Sequence, residues 1–206
     1  MLVNLEQESD TYYTISCECE GLFKDKGSRF IAYAFPVTSE DAIKEHIARL
    51  KKEHHSARHH CYAYRLGADL LTFRANDDGE PSNSAGKPIL GQIHSKGLTD
   101  ILIVVVRYFG GTLLGVGGLI QAYREAAADA LEQADIIEMM LEDTIEVRFE
   151  YPFIDQVMRI AKELGLKIIE QRYEMDCMVK MKVRKTLAPQ VSVRLSDIEG
   201  ARVDVL

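Results

Sequence analysis

Two stretches of this chain hold side chains of the kind that do chemistry. The first is Asp77-Asp78-Gly79-Glu80-Pro81-Ser82-Asn83-Ser84-Ala85-Gly86-Lys87-Pro88. Three carboxylates in four positions are a donor set for hydrated Mg²⁺, or for acid and base work. A Walker loop is absent, because Pro88 follows Gly86-Lys87 where Ser or Thr is required. A calcium EF loop is absent too, because Pro88 stands where the closing Glu belongs. The plain alternative is a solvated acidic turn with Asx-type hydrogen bonds. The length of the stretch favours a binding loop.

The second stretch is Gly110-Gly111-Thr112-Leu113-Leu114-Gly115-Val116-Gly117-Gly118. Glycines there let the backbone turn sharply and approach a ligand. A helix beginning at Gly118-Leu119 would present free N–H groups and its positive dipole end to an anion. The dinucleotide fingerprint fails, since counting from Gly115 puts Ile120 where Gly is needed. Anion binding and a tight strand-to-helix crossover both remain open. Just upstream, Arg107-Tyr108-Phe109 could set a ring on a base and a guanidinium on phosphate. Equally, one ring belongs to the core and Arg107 answers the acidic loop.

Other reactive residues are less organised. His46, His54, His55, His59 and His60 include no H-E-x-x-H pattern. His54 and His55 suit the carbonyl end of a helix, and His60 could face a cleft as a hydrogen-bonding or acid–base group. Cys17-x-Cys19 places two thiols on one strand face, read as core thiols. Cys61 and His60 are neighbours on a strand and point to opposite faces, which is poor geometry for a nucleophile and its base. No G-x-S-x-G elbow exists.

The elements that must position these groups follow from periodicity. Tyr12 to Cys19 and Phe30 to Val37 read as strands, with Gly21 to Gly27 as a turn region. Ser39 caps a helix whose Ala42, Ile43, Ile47 and Leu50 share a face. Cys61 to Leu66 and Leu70 to Arg74 form a hairpin about Gly67-Ala68-Asp69. Pro88 suits the first turn of a helix over Ile89, Leu90 and Ile93. Ile101 to Val106 is a strand buried on both faces, and Leu119 to Ala134 is an Ala-rich helix. Beyond Leu141 the order is strand, helix, strand, strand, helix, strand in about 65 residues, the size and pattern of a ferredoxin-like βαββαβ domain.

Composition narrows the classes. The 206 residues suffice for one large or two small domains, and the 47% hydrophobic content is that of a globular protein. The apolar run Ile101 to Val106 is too short for a bilayer, and the acidic start MLVNLEQESD is no signal peptide. Four cysteines in this length read as reduced thiols of a cytosolic protein. A net charge of −7 argues against wholesale coating of polyanions but leaves room for a local basic groove.

Several motifs occur together and in order: Arg29-Phe30-Ile31-Ala32, Ala57-Arg58-His59-His60-Cys61-Tyr62-Ala63-Tyr64, Asp77 to Ser82, Ala85 to Leu90 and Val105 to Gly111. Leu114-Gly115-x-Gly117-Gly118-Leu119 and Ala122-Tyr123 follow. In this combination the chain resembles the IMPACT/YigZ family. One departure stands out: where the family usually shows Gly-Thr, this chain has Asn83-Ser84. Ser84 keeps a hydroxyl, and Asn tolerates left-handed backbone. The resemblance implies an N-terminal domain similar to the second domain of a small-subunit ribosomal protein, a fold shared with elongation factor G domain IV and GHMP kinases. It also implies a ferredoxin-like C-terminal domain. Eukaryotic relatives regulate translation initiation through additional segments, so that mechanism is not carried over.

The expectation is therefore an α+β protein of two domains, residues 1–140 and 141–206. Its expected function is cytoplasmic binding of nucleic acid, RNA or the ribosome, linked to regulation of translation, with no catalysis assumed and no required cofactor. Arg107 and Lys87 would meet phosphate, Tyr108 would stack, and amides of Gly110, Gly111, Gly115, Gly117 and Gly118 would fix the backbone. His60, Asp77, Asp78, Glu80 and Ser82 complete the candidate ligand-binding set. Mg²⁺ at the acidic loop would offset the repulsion of phosphate by its carboxylates. The alternative is a metal-assisted phosphoryl transferase or hydrolase, using the acidic loop for metal or base, His60 as acid and the glycine loop for an oxyanion. The C-terminal sheet is a candidate surface for a protein partner, and no membrane partner is expected.

Overall fold

A computed structural model describes residues 10–174 and 176–206. It is a mixed α+β chain of two compact units. Tyr12–Met139 forms one, and Met140–Leu206 together with residues 10–11 forms the other. Asp10, assigned by sequence to the first domain, belongs to the second unit: its carbonyl accepts from the Leu141 N–H and its carboxylate from the Thr186 N–H and hydroxyl.

The larger unit is built on a five-stranded antiparallel sheet. Its strands are β2 (Cys19–Asp25), β3 (Ser28–Pro36), β4 (His59–Leu66), β5 (Thr72–Asn76) and β6 (Ile101–Tyr108), in the order β2-β3-β6-β4-β5. The central strand β6 explains its unbroken apolar sequence. Ile101, Ile103 and Val105 enter one core with α2 (Gly86–Ser95) and α3 (Gly115–Glu132). Leu102, Val104 and Val106 enter a second core with Ile43 and Leu50 of α1 (Glu40–Glu53). Alternation along a pleated strand thus feeds two cores at once. Ser39 caps α1 as its sequence predicts, accepting from the Ala42 N–H.

Four readings of the sequence are corrected here. The strand expected from Tyr12 to Cys19 breaks after β1 (Thr11–Ile15), which pairs instead with β7 (Ile136–Met140), and β2 restarts at Cys19. Cys17 is consequently exposed at the bend and Cys19 half-buried, so they are not a pair of core thiols. Gly21 is a strand residue rather than part of a turn. A Cβ there would lie 2.2 Å from the Ala130 backbone nitrogen, so glycine is required for α3 to lie against β2. Finally, α3 begins at Gly115 and not at Leu119.

The smaller unit runs β8 (Glu142–Phe149), α4 (Ile154–Glu163), β9 (Lys167–Arg172), β10 (Cys177–Arg184), α5 (Ala188–Ser196) and β11 (Arg202–Val205). Its antiparallel sheet has the order β11-β8-β10-β9. Val157 and Ile160 of α4 and Val191 and Leu195 of α5 meet Ile145, Val147, Val179 and Met181 in one core. Among the described residues, no helix is long and apolar enough to cross a membrane.

Candidate functional site

Register brings the candidate residues to one end of the larger sheet. His59 pairs with Arg107 across β4 and β6, and Arg29 pairs with Tyr108 across β3 and β6. Continued by one pair, the β4–β6 register sets Arg58, just before β4, opposite Tyr108, with Phe109 next along, just after β6. The acidic loop between β5 and α2 lies over this end.

Each carboxylate of that loop has a separate structural task. Asp77 Oδ1 accepts from the Ala85 and Gly86 N–H groups at 3.0 and 2.8 Å, and Oδ2 from the Asn83 N–H at 2.9 Å. One side chain thus closes the loop and satisfies orphan donors at the start of α2, whose N-cap Ala85 offers no side chain for the purpose. Asp78 Oδ2 accepts from the His60 N–H at 2.7 Å, and Oδ1 lies 3.4 Å from Lys51 Nζ. Glu80 turns inward. Its Oε1 accepts from Arg107 Nη1 at 2.6 Å and from Tyr123 Oη at 2.7 Å.

The loop's sharp course is carried by left-handed residues, Asp78, Gly79 and Asn83, with φ of 40°, 86° and 61°. Asn83 thus occupies the conformation that asparagine accepts more readily than other side chains. Ser84 is fully buried, and its hydroxyl donates to the Pro81 carbonyl at 2.6 Å. Among the described residues, no three His, Cys, Asp or Glu side chains are gathered to hold a metal ion.

His60 is buried, with Nδ1 3.9 Å from Asp78 Oδ2 and Nε2 without a partner. Burial holds its imidazole below the ordinary range, with the Asp78 charge opposing. Cys61, on the opposite face, has Sγ 3.3 Å from Tyr123 Oη and 3.0 Å from the Asp77 carbonyl. Burial pushes that thiol far up, so it stays protonated and is no nucleophile.

Behind Glu80 and Arg107 opens a hollow of about 450 Å³. Arg58 and His59 stand at it, Phe109 forms one side, and the segment from Leu113 to Leu119 forms an apolar wall. Arg107 is 7% exposed, its guanidinium 5.4 Å from the Phe30 ring centre and 5.7 Å from that of Phe109. Its Nε has no hydrogen-bond partner. The first turn of α3 reaches the same hollow through Gly115 and Val116, and its N-cap, Leu114, supplies no capping side chain. Free amides and the positive dipole end therefore stand beside the two arginines. A second hollow of about 250 Å³ adjoins, lined by Ser56, Arg58, Arg107, Tyr108 and Phe109.

Of the residues picked from sequence, Glu80, Arg107 and Gly115 line the first hollow and Tyr108 the second. Tyr108 is also engaged elsewhere, its hydroxyl 2.8 Å from His54 Nδ1. The neighbouring ring, Phe109, is half exposed and faces both hollows. His60, Asp77, Asp78, Ser82 and Lys87 are not among the walls of either. Gly110 serves the backbone, since a Cβ there would sit 1.9 Å from the Gly27 carbonyl carbon. Gly111 takes a φ of 89° with open space around it, and Gly117 and Gly118 belong to the first turn of α3. Sequence reasoning passed over Arg58 and the Leu113, Leu114 and Val116 wall. Leu113 and Val116 are strongly exposed apolar side chains, a signal that only accessibility reveals.

The Impact N-terminal domain profile matches residues 26–131, which include both hollows and the acidic loop. The chain belongs to the IMPACT family. It is 30% identical over 195 residues to the IMPACT family member YvyE of Bacillus subtilis, covering 95% of this chain and 90% of that protein. It is 32% identical over 183 residues to the IMPACT family member YigZ of Escherichia coli, covering 88% and 90%. It is similar to a crystal structure of a hypothetical protein, 29% identical with a TM-score of 0.72, over 96% of this chain and 98% of that one. The IMPACT family signature thus lies within the larger unit, and the similarity to the bacterial relatives covers most of the chain.

Proposed function

We propose that this IMPACT family protein is a cytoplasmic RNA-binding protein linked to translation, acting on RNA or the ribosome without catalysis. One observation supports the reading most. An exposed aromatic ring, the exposed Arg58 guanidinium and an uncapped helix N-terminus converge on one hollow. A ring to stack a base beside donors for phosphate is what single-stranded nucleic acid requires. Arg58 is exposed and enters no ion pair among the described residues, so its charge is free for phosphate. Lys87, exposed at the start of α2, adds to the local positive field.

The resemblance to ribosomal and elongation-factor domains points the same way. The strand order of the smaller unit, in which its first and third strands are central, supports reading it as a ferredoxin-like domain, with its sheet as the candidate surface for a protein partner. The reading needs no cofactor, because Asp77 and Glu80 already have backbone or side-chain donors to answer them. The enzyme alternative has less behind it: its acid, His60, and the carboxylates of Asp77 and Asp78 line neither hollow, and Glu80, which lines the larger one, is held by Arg107 and Tyr123.

The test is binding of an unstructured 20-nucleotide RNA, followed by fluorescence anisotropy across a salt series, with and without Mg²⁺. Affinity should fall with salt at a log–log slope of about −0.7 per phosphate contacted. An Arg58→Ala, Lys87→Ala double variant should make that slope shallower while leaving the melting temperature unchanged. Arg107 is unsuitable for this purpose, because it is part of the fold. No binding, or binding indifferent to salt, overturns the reading.

A further inference from the structure

Phe109 lines two adjoining hollows. The larger, about 450 Å³, runs from Phe109 to the first turn of α3. The smaller, about 250 Å³, runs from Phe109 to Ser56 and Tyr108. The two share three residues: Arg58, Arg107 and Phe109. Continued by one pair, the antiparallel β4–β6 register sets Arg58 opposite Tyr108, with Phe109 the next residue beyond β6.

We propose that the site takes two consecutive unpaired nucleotides, one base in each hollow, with the Phe109 ring at their junction and Arg58 on the phosphate that links them. The proposal rests on the RNA-binding reading and gives it a minimal ligand. The Arg107 guanidinium lies over one face of the Phe109 ring, 5.7 Å from its centre, so the ring offers its open face to one base and its rim to the other, a sequence-tolerant contact because every base has a π-face. Arg58 is the exposed cation common to both hollows, which is where the linking phosphate of such a dinucleotide would fall. Arg107, nine-tenths buried behind the ring, is anchored by Glu80 through Nη1 and fixes the floor common to both hollows. In the larger hollow the uncapped N–H groups of α3 are placed for the outer phosphate of the first nucleotide. The smaller hollow has no helix terminus. Its polar groups, the Ser56 and Tyr108 hydroxyls, suit a base edge or ribose.

The experiment compares AMP, the dinucleotide pApA and a 20-nucleotide oligo(A) by calorimetry or anisotropy competition. pApA should bind at least about tenfold tighter than AMP, the advantage of a second bound base. Phe109→Leu keeps apolar bulk and removes the ring; it should abolish most of that advantage, and Phe109→Tyr should retain it. Melting temperatures of both variants report on folding. If either variant is misfolded, Arg58→Ala on this exposed site carries the test, and should reduce the preference for pApA over AMP. Equal affinity for AMP and pApA, with tight binding of oligo(A), overturns the dinucleotide proposal and leaves the RNA reading standing. Failure of oligo(A) itself to bind overturns both. Displacement of pApA by poly-glutamate at equal charge concentration would mean that the site reads an acidic chain, and would overturn the proposal also.

Discussion

Glu80 and Arg107 form an ion pair 2.6 Å long in which their side chains are 3% and 8% exposed. Pairs this dry are retained at a cost, because desolvation offsets much of the attraction, yet removing one partner strands the other. Glu80→Ala should destabilise the larger unit by about 3–5 kcal/mol, since it leaves a buried guanidinium uncompensated. Glu80→Gln, which keeps an acceptor for Tyr123, should cost less. Urea unfolding of the three proteins measures the order; a wild-type midpoint for Glu80→Ala would refute the account.

Two glycines of the same motif should behave in opposite ways. At Gly110 an added Cβ would meet the Gly27 carbonyl carbon at 1.9 Å, backbone against backbone with no side chain to yield. Gly110→Ala should therefore cost about 1–3 kcal/mol or more, through displacement of the Lys26–Gly27 turn. At Gly117, inside the first turn of α3, nothing lies within 4 Å of the added carbon. Gly117→Ala should leave the protein as stable or raise stability by up to about 1 kcal/mol through helix propensity. Thermal melts of both variants decide it, and a destabilised Gly117→Ala would contradict the open space found there.

Stability should decline on mild acidification. His60, His46 and His94 are all held below the ordinary imidazole range, burial being the first cause in each. An unfolded imidazole takes up a proton near pH 6.5, whereas these resist it until lower pH. The unfolded state therefore binds more protons in that window, and the stability present above about pH 6.5 is lost as pH falls through the folded values. The carboxylates held low by ion pairs, Asp41, Glu146 and Glu170, act only at more acid pH. Melting temperature should fall between pH 7.5 and pH 5.5, and His60→Gln should flatten part of that fall. A flat or rising profile in the wild type would rule this out.

Much of the architecture was written locally. Ser39 and the spaced apolar residues after it specify α1; the run Ile101 to Val106 specifies a strand covered on both faces; the alternating segments after Leu141 specify βαββαβ. These succeed because caps and periodicity depend only on near neighbours in the chain. The misread places share another cause. Gly21 is glycine because α3, more than a hundred residues away in sequence, lies against it, and no local pattern carries that contact. Similarly, α3 starts three residues before the last glycine of its motif, at an uncapped Leu114, so the usual start signal is missing.

For the site, sequence alone determined which residues were present: the acidic loop, the glycines and Arg107-Tyr108-Phe109. Tertiary structure decided what each one does. The three carboxylates, adjacent in sequence, diverge to backbone amides, to the His60 amide and to Arg107. Of the two rings, Phe109 rather than Tyr108 became the shared wall, because Tyr108 is drawn to His54 while Phe109 lies beyond the end of β6. The physical reason is that local propensity sets where a strand runs, whereas the register of β4 against β6 sets which side chains meet at its end. That register is fixed by the burial of two cores that no single segment contains.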